Sequence, residues 1–288
     1  MEWSERRQRF RTLLAGSRCL HPGSVFDPIS ARIAEQLGFE IGMFAGSIAS
    51  FTVLGNPDLI LLTLSEFAEQ AYRICRAGKL PLLVDADHGY GNALNVMRTV
   101  EELETAGIAA LSIEDTALPA NFSAAEEMRL ISIEEGVGKM RAALAARQDP
   151  GLVIVGRTQA ISVTGLDDTI ARGKAYAAAG VDALFFVGLK KRAELDAIAA
   201  AVDRPIILGG GSAELDDRDY LAARGVRVAL QGHQPFMAAV RAVHDTLKAL
   251  RDGVKPKDLP GVASAELMKT VTRDAEHRRW MKEFLTRG

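Results

Sequence analysis

Two aspartates, Asp85 and Asp87, end an apolar run in the segment VDADHGYGN and lead into a glycine-rich turn. If the apolar run is a strand, residues two apart point to the same side, so both carboxylates would face one region. Two carboxylates held together repel each other unless a cation or a shared proton lies between them. A hard divalent ion such as Mg²⁺, which takes few protein oxygens and keeps several waters, would relieve that repulsion. The alternative is that either aspartate only caps the helix that follows.

Other polar residues also stand at the ends of apolar runs. They are Ser47 in FAGSIAS, Glu114 and Asp115 in SIED, Arg157 in GRT and His233 in QGH. A buried arginine is costly unless it binds an anion, so Arg157 indicates an anionic ligand or, alternatively, a structural carboxylate partner. The remaining residues have structural alternatives as helix caps, a turn serine or a core histidine.

The turn after the aspartates also carries His88 and Tyr90. Gly89 and Gly91 lie beside them and permit a tight bend of the backbone. His88 either orients one of the carboxylates or faces solvent, and Tyr90 shares the loop with the acids. Both are candidates for supporting roles around the site.

Eight short apolar segments alternate with longer segments of helical periodicity, and these elements must position the polar residues. The predicted strands are residues 23–27, 41–46, 80–87, 109–115, 151–157, 183–188, 205–210 and 226–232. Their nearly continuous apolar character indicates parallel strands that are buried on both faces. Eight strand–helix units in about 250 residues predict an α/β protein with a (β/α)8 TIM barrel, whose active site forms at the carboxyl ends of the strands. A doubly wound sheet is the alternative, but the first strand lacks its glycine fingerprint.

The helical pattern continues after the eighth predicted strand through PFMAAVRAVHDTLKALRDG, and a proline-bearing linker then leads to further helix. We therefore predict residues 1–252 as the barrel with an N-terminal helix and residues 253–288 as a helical extension. The extension carries Trp280, Met281 and Phe284, which predicts packing against the barrel or a neighbouring subunit.

Composition narrows the class of protein. Apolar residues make up 48% of the chain and charged residues 25%, which is typical of a globular protein with a sizeable core. A net charge of −2 gives no indication of nucleic acid or an anionic membrane as a partner. Cys19 and Cys75 lack metal-site or disulfide spacing, and the charged N-terminus lacks the apolar core of a signal peptide. No apolar run approaches the ~20 residues of a membrane span, so we predict a cytoplasmic location.

The segment DADHGYGN, with IED and GRT further along the chain, resembles the isocitrate lyase and phosphoenolpyruvate mutase superfamily. The segments SVFDPISARIAEQLGFE, GNPDLILLTLSEFAEQA and NALNVMRTVEELETAGIAALSIEDTALPA look closest to its oxaloacetate decarboxylase branch. The resemblance covers nearly the whole predicted barrel. It implies a barrel whose last helix is exchanged between paired subunits within a homotetramer.

The resemblance also implies a metal site. Asp85 would be the principal carboxylate for Mg²⁺, with Mn²⁺ as the other candidate ion, and Asp87 and Glu114 would hold the ion through waters. Asp58, in GNPD, matches another acid of the superfamily near the metal.

For the substrate, the resemblance implies a small 2-oxo dicarboxylate. Ser47 and Arg157 would bind its carboxylate end, and His233 matches a histidine that contacts the substrate in the decarboxylase branch. Asp85, Arg157 and His233 would then be the catalytic residues.

The implied activity is Mg²⁺-dependent decarboxylation of oxaloacetate, or a close 3-carboxy-2-oxo acid, to pyruvate and CO₂ through a metal-stabilised enolate. Lyases of the superfamily carry a cysteine in a mobile loop, and the mutase and its hydrolase relatives carry a lysine, but residues 116–135 contain neither. A lyase that deprotonates a hydroxyl would lack an obvious base, whereas decarboxylation does not require that base. The alternatives are a C–C lyase or a phosphonate or 2-oxo acid hydrolase with the same metal site, and a non-catalytic barrel that binds an acidic metabolite.

Two segments depart from the branch. GGGSAEL, residues 209–215, stands where the branch carries a tyrosine after the seventh strand. The glycines predict a turn or, alternatively, a backbone cradle for an anion, and in both cases no bulky side chain crowds the substrate. GRTQA likewise replaces the usual alanine and aspartate or asparagine around Arg157. A bulkier oxo acid could therefore fit.

Overall fold

The structure, a computed structural model, describes residues 3–120 and 128–286. The chain divides into two compact units, Met1–Gly232 and His233–Gly288. Within the described residues the first unit contains eight strands and nine α-helices, and the second contains three α-helices. The division predicted at residue 252 stays a prediction.

The eight strands form one parallel sheet whose order follows the chain from β1 to β8. They are β1 (Gly23–Ser24), β2 (Gly42–Phe44), β3 (Leu82–Asp85), β4 (Ala110–Glu114), β5 (Val153–Thr158), β6 (Ala183–Val187), β7 (Ile206–Gly209) and β8 (Val226–Ala229). An isolated parallel bridge joins Leu20, just before β1, to Val228 of β8. The sheet therefore curls as it does in a TIM-like barrel, which confirms the predicted eight parallel strands.

Within the described residues of the first unit, one helix precedes β1 and the others connect successive strands. They are α1 (Trp3–Ala15), α2 (Pro28–Gln36), α3 (Gly46–Ala49), α4 (Leu64–Cys75), α5 (Ala93–Thr105), α6 (Ile133–Ala146), α7 (Leu166–Ala179), α8 (Arg192–Ala201) and α9 (Arg218–Ala223). Local sequence explains several ends: Asp27 caps α2 with Pro28 at its first turn, and Gly180 ends α7 at a φ of 103°.

The strands supply the centre of the core. All five residues of β4 are buried, and Leu83, Leu111 and Ile154 are fully inaccessible to solvent. Because these strands are covered on both faces, their sequences are apolar almost without interruption. The charged residues Asp85, Glu114 and Arg157 lie at or next to the carboxyl ends of β3, β4 and β5.

The second unit is helical. It contains α10 (Gln234–Arg251), α11 (Ala265–Val271) and α12 (Asp274–Leu285). The further helix predicted near the C-terminus is thus two helices, because Arg273 adopts a φ of 56° between them. None of the described helices combines the length and apolar character that a bilayer-spanning helix needs.

Candidate active site

The strand register places charged residues side by side at the carboxyl edge of the sheet. Glu114, the last residue of β4, is paired with Arg157 of β5, and Asp85, the last residue of β3, is paired with Ser112 of β4. Arg157 lies between two of the acids, because its Nη1 donates to Asp85 Oδ2 and its Nη2 is 3.0 Å from Glu114 Oε2. Sequence reasoning predicted these three residues together, and the structure brings them together.

Arg157 remains a cation in this setting. Burial of the guanidinium works against its charged form, yet the neighbouring Asp85 and Glu114 carboxylates raise the pKa of Arg157 above its ordinary value. The structural alternative predicted carboxylate partners for this arginine, and the structure shows them. Its Nε atom is buried and has no hydrogen-bond partner within the described residues.

Asp87 lies near the same acids, but its side chain is oriented differently from the prediction. Strand β3 ends at Asp85, and Asp87 lies in the turn beyond it with a φ of +48°, so strand alternation does not orient its side chain. Its carboxylate instead lies against the backbone of Gly46, where an added Cβ would be 2.5 Å from Asp87 Oδ1. Gly46 is therefore required by the close approach of this carboxylate.

The acids influence one another strongly. Burial, together with Asp85, Glu114 and Asp58, raises the pKa of Asp87 well above its usual range. Burial also raises the pKa of Glu114 to about 7, with Arg157 opposing the shift and Asp85 adding to it. These mutual effects show that the acids occupy one electrostatic environment.

Asp58 belongs to the same cluster. Burial and the charge of Asp85 raise its pKa, and Arg157 acts in the opposite direction. Asp58 follows a one-turn π-helix, residues 50–54, in a loop that carries it towards the acids. Its supporting role near a metal stays a prediction.

A divalent cation fits the charge of this cluster. The cluster contains four carboxylates and one guanidinium. The carboxylates belong to Asp58, Asp85, Asp87 and Glu114, and the guanidinium belongs to Arg157. Glu114 Oε2 makes no hydrogen bond within the described residues, despite its ion pair with Arg157. Among the described residues, no group of three or more His, Cys, Asp or Glu side chains is arranged so that it could hold a metal ion directly. A cation with few direct protein ligands and several waters matches this arrangement better than a closed cage.

The remaining predicted residues divide between the two units. Ser47 is in α3, next to the Gly46 backbone that contacts the Asp87 carboxylate. His233 belongs to the second unit, where it directly precedes α10, so its contact with substrate stays a prediction.

The turn residues His88 and Tyr90 are both near the acids. His88 is buried rather than facing solvent; burial and the nearby Lys139 lower its pKa to about 4, and its Nδ1 has no hydrogen-bond partner within the described residues. Tyr90 has a φ of 58° and a buried hydroxyl without a hydrogen-bond partner there. Burial, followed by Asp87 and Asp85, raises the pKa of Tyr90 well above its ordinary value.

Asp115, the other acid after β4, has a structural role. It is fully buried and accepts hydrogen bonds from Arg172 Nη1 at 3.0 Å and Tyr176 Oη at 2.7 Å. The same arginine donates to Ile131 O at 3.0 Å. Asp115 therefore connects the end of β4 to α7 rather than joining the acid cluster.

Three neighbours of the site were not predicted. Ser112 Oγ donates to Asp85 Oδ1 at 3.1 Å, Lys139 Nζ donates to the backbone oxygen of His88 at 2.9 Å, and Phe185 lies beside Arg157. Ser112 had a detectable signal, because it is a polar residue within an apolar strand on the same side as Glu114. The absence of a base was predicted for residues 116–135, of which 121–127 lie outside the described residues.

Comparisons with known proteins identify the family of the chain. The family model described as phosphoenolpyruvate phosphomutase matches residues 10–251. A protein of Bradyrhizobium diazoefficiens named oxaloacetate decarboxylase is 63% identical over 276 residues, covering 96% of each chain. Among solved structures, phosphonopyruvate hydrolase in complex with oxalate and Mg²⁺ is similar, with a TM-score of 0.86, 28% identity and coverage of 98% of this chain and 99% of that chain.

A second solved structure is similar over the same extent of chain. Oxaloacetate acetylhydrolase in complex with 3,3-difluorooxalacetate gives a TM-score of 0.84 at 27% identity and covers 96% of each chain. The family model spans most of the sequence, and the strand-end acids and arginine lie within the matched residues. The chain belongs to the phosphoenolpyruvate phosphomutase family.

Proposed function

We propose that this protein is a Mg²⁺-dependent decarboxylase that converts oxaloacetate, or a close 3-carboxy-2-oxo acid, to pyruvate and CO₂. The observation that carries the proposal is the 63% identity, over 96% of both chains, to a protein named oxaloacetate decarboxylase. The acid cluster with a buried arginine at the carboxyl edge of the sheet supports it, because this is where TIM-like barrels carry their chemistry.

The acids of the cluster would hold the metal. Asp85 would be the direct protein ligand, and Asp87 and Glu114 would act through waters, with Asp58 adding negative charge nearby. The solved phosphonopyruvate hydrolase complex with Mg²⁺ and oxalate supports Mg²⁺ as the ion, and Mn²⁺ has the same preference for oxygen ligands. When bound, the ion supplies Lewis-acid stabilisation of negative charge on the substrate.

The residues of the chain bind and orient the oxo acid. Arg157 carries a buried positive charge and would bind a substrate carboxylate through its guanidinium, with Ser47 on the neighbouring rim. Orientation lowers the barrier because the bond to the departing carboxylate must be aligned with the 2-oxo group. His233 is our candidate for delivering the proton that completes pyruvate, and water is the alternative donor.

The assembly is proposed to be a homotetramer of paired subunits that exchange their last barrel helix. Helix α10 supports this, because none of its residues is buried although it carries a stripe of large apolar side chains. The stripe consists of Met237, Val240, Val243, Leu247 and Leu250. A cytoplasmic location remains part of the proposal.

Steady-state assays would test the activity. The protein is incubated with oxaloacetate and Mg²⁺, and pyruvate and CO₂ are measured above the metal-catalysed background. We expect a rate that depends on both enzyme and Mg²⁺ and that Asp85→Ala abolishes. No enzyme-dependent rate, or an unchanged rate in the variant, would contradict the proposal.

Product analysis with oxaloacetate, and a parallel assay with phosphonopyruvate, separate the alternatives. Hydrolysis of the C–C bond of oxaloacetate would give oxalate and acetate in place of pyruvate and CO₂. A phosphonate hydrolase would release phosphate from phosphonopyruvate, and a non-catalytic binder would retain oxaloacetate without turnover.

His233→Gln tests the proton donor. Unchanged turnover and KM in this variant would indicate that His233 has only a structural role.

A further inference from the structure

Phe185 lies directly beside Arg157 on the inner face of the sheet. The two residues are register partners in β6 and β5, and the Arg157 Cζ atom is 5.4 Å from the centroid of the Phe185 ring. Phe185 is 2% exposed. The next residue, Phe186, is on the opposite side of the strand, where its ring approaches Gly173 of α7.

Gly209, at the end of β7, provides the space that this ring occupies. A Cβ at position 209 would lie 2.7 Å from Phe185 Cε2 and 3.0 Å from Phe185 Cζ. Gly209 does not have the positive φ that would itself require glycine, whereas Gly210 has a φ of +80°. The first of the three consecutive glycines is therefore explained by the close approach of an aromatic ring.

The guanidinium of Arg157 is thus constrained in two ways. Its Nη atoms face Asp85 and Glu114, which fix the edge of the group, and its Cζ lies over the ring of Phe185, which fixes the face. A guanidinium over an aromatic face is attracted by the ring quadrupole, and the attraction strengthens where water is excluded. An aliphatic side chain at position 185 would fill part of the same space without this directional contact.

We propose that Phe185 is a positioning residue that sets the plane of the Arg157 guanidinium, and that Gly209 is the glycine that makes room for it. The proposal rests on the proposed function, in which this guanidinium binds a carboxylate of the oxo acid. Substitution at Phe185 should then weaken ligand binding through Arg157, beyond any effect on folding.

Binding of oxalate in the presence of Mg²⁺, measured by calorimetry on the full chain, tests this proposal. Phe185→Leu should raise the Kd for oxalate by about 3- to 20-fold, the range expected for a desolvated cation–π contact. Phe186→Leu is the matched control, with the same change one residue along β6, and should lower Tm to a similar extent with less than about a 2-fold change in Kd. Equal effects on Kd in the two variants would overturn the proposal.

A pair of variants separates positioning from space filling. Gly209→Ala should lower Tm and weaken oxalate binding because its methyl group displaces the Phe185 ring. In Gly209→Ala/Phe185→Leu the smaller side chain accommodates the methyl group, so Tm should recover while oxalate binding remains weak. Recovery of the oxalate Kd together with Tm would show that the ring only fills space.

Arg157→Met provides the last comparison. If Phe185 acts through Arg157, then Phe185→Leu should change the oxalate Kd by less than about 2-fold in the Arg157→Met background. A full additive effect there would overturn the proposal, as would a wild-type chain that binds no oxalate. Oxalate binding without pyruvate formation from oxaloacetate would instead count against the proposed decarboxylation alone.

Discussion

Acidic side chains outnumber the basic ones in the cluster around Asp85. Asp85 is hydrogen-bonded by Arg157 and by Ser112, while Asp87 and Glu114 add negative charge in the same buried region. Burial is the largest cause of the raised pKa values of Asp87 and Glu114, and the charge of Asp85 adds to both through the local excess of negative charge. A divalent ion with Asp85 as its protein ligand would relieve it, and the groups that orient Asp85 should then influence how tightly the ion is held.

Ser112→Ala should weaken Mg²⁺ binding. The Ser112 hydroxyl donates to Asp85 Oδ1 at 3.1 Å from a fully buried position, so its removal leaves the carboxylate less firmly oriented. We expect the Kd for Mg²⁺, measured by calorimetry, to rise by about 10-fold, near the lower end of the effect of such supporting hydrogen bonds. Ser132→Ala is the control, because it removes the cap of α6 and about 1 kcal/mol of stability without changing Mg²⁺ affinity. An unchanged Kd in Ser112→Ala would contradict the prediction.

Tyr90→Phe should separate binding from stability. The buried Tyr90 hydroxyl has no hydrogen-bond partner within the described residues, so its removal should leave the free energy of unfolding unchanged or raise it by up to about 1 kcal/mol. The same hydroxyl stands near Asp85 and Asp87, where it can donate to a bound ligand. We expect kcat/KM for oxaloacetate to fall by about 5-fold, corresponding to about one neutral hydrogen bond. If urea denaturation shows a large loss of stability, the hydroxyl is satisfied in the folded protein and the prediction is wrong.

The sequence was most informative where residue type conflicts with environment. Acids and an arginine at the ends of buried strands conflict with their surroundings, which is why Asp85, Glu114 and Arg157 were predicted. Phe185 gave no such signal, because an aromatic residue in a buried strand is ordinary core. The conformation of Asp87 was also beyond sequence reasoning, since a non-glycine residue at positive φ is stabilised by tertiary contacts such as that with Gly46.

At the scale of the elements, the strands and helices were predicted well because their apolar patterns are long and regular. All eight strands were located, but each proved shorter than predicted, most of all β3, which spans Leu82–Asp85 where residues 80–87 were predicted. Strand alternation places Glu114 and Asp115 on opposite sides of β4, but the sequence could not show which of the two faces the acids and which points to α7. That difference depends on the strand register and on Arg172 from α7.

Arg172→Met should destabilise the first unit severely. Arg172 bonds to Asp115, Asp168 and the Ile131 carbonyl, and Asp115 is fully buried, so the variant leaves a carboxylate without its cation. We expect a loss of about 3–5 kcal/mol in urea denaturation. Arg98→Met removes an exposed pair with Glu102 on α5 and should cost about 0.5 kcal/mol or less. Similar costs for the two variants would contradict the assignment of a buried structural role to Arg172.

Asp149 should make stability depend on pH in acid. Partial burial pushes its pKa up, but hydrogen bonds from Arg7, Ser4 and the Gly151 N–H outweigh this effect and lower the pKa to about 2. Because the folded-state pKa lies below the unfolded value of about 3.9, the carboxylate stabilises the fold above pH ~4 and loses this contribution as the pH falls towards ~2.

The expected loss from Asp149 over that interval is about 1–2 kcal/mol after allowance for solvent screening. Denaturant titrations between pH 5 and 2 would measure it. Asp149→Asn should flatten this part of the stability profile, whereas Asp203→Asn, at a side chain that is 82% exposed, should leave it as in the wild type. A wild-type profile no steeper than that of Asp149→Asn would contradict the prediction.

At the scale of the whole molecule, helix α10 carries an apolar pattern that packing within one chain does not explain. The five residues of its apolar stripe recur at helical spacing, yet all five are exposed. Charged residues, among them Arg241, Asp245 and Lys248, occupy another side of the helix and form ion pairs one turn apart. Such an amphipathic pattern is characteristic of a helix that packs one face against protein, which supports the proposed exchange between subunits.

Val243→Glu/Leu247→Glu should therefore disrupt the assembly. Burying two carboxylates in an apolar contact costs far more than an interface can recover, whereas both substitutions are compatible with the helix itself. Light scattering after size exclusion should give a tetramer for the wild type and a smaller species for the variant, with unchanged helix content by circular dichroism. Arg241→Glu, on the charged side of α10, is the control and should retain the wild-type mass. A wild-type monomer, or a variant of wild-type mass, would show that the apolar stripe of α10 is not the contact between subunits.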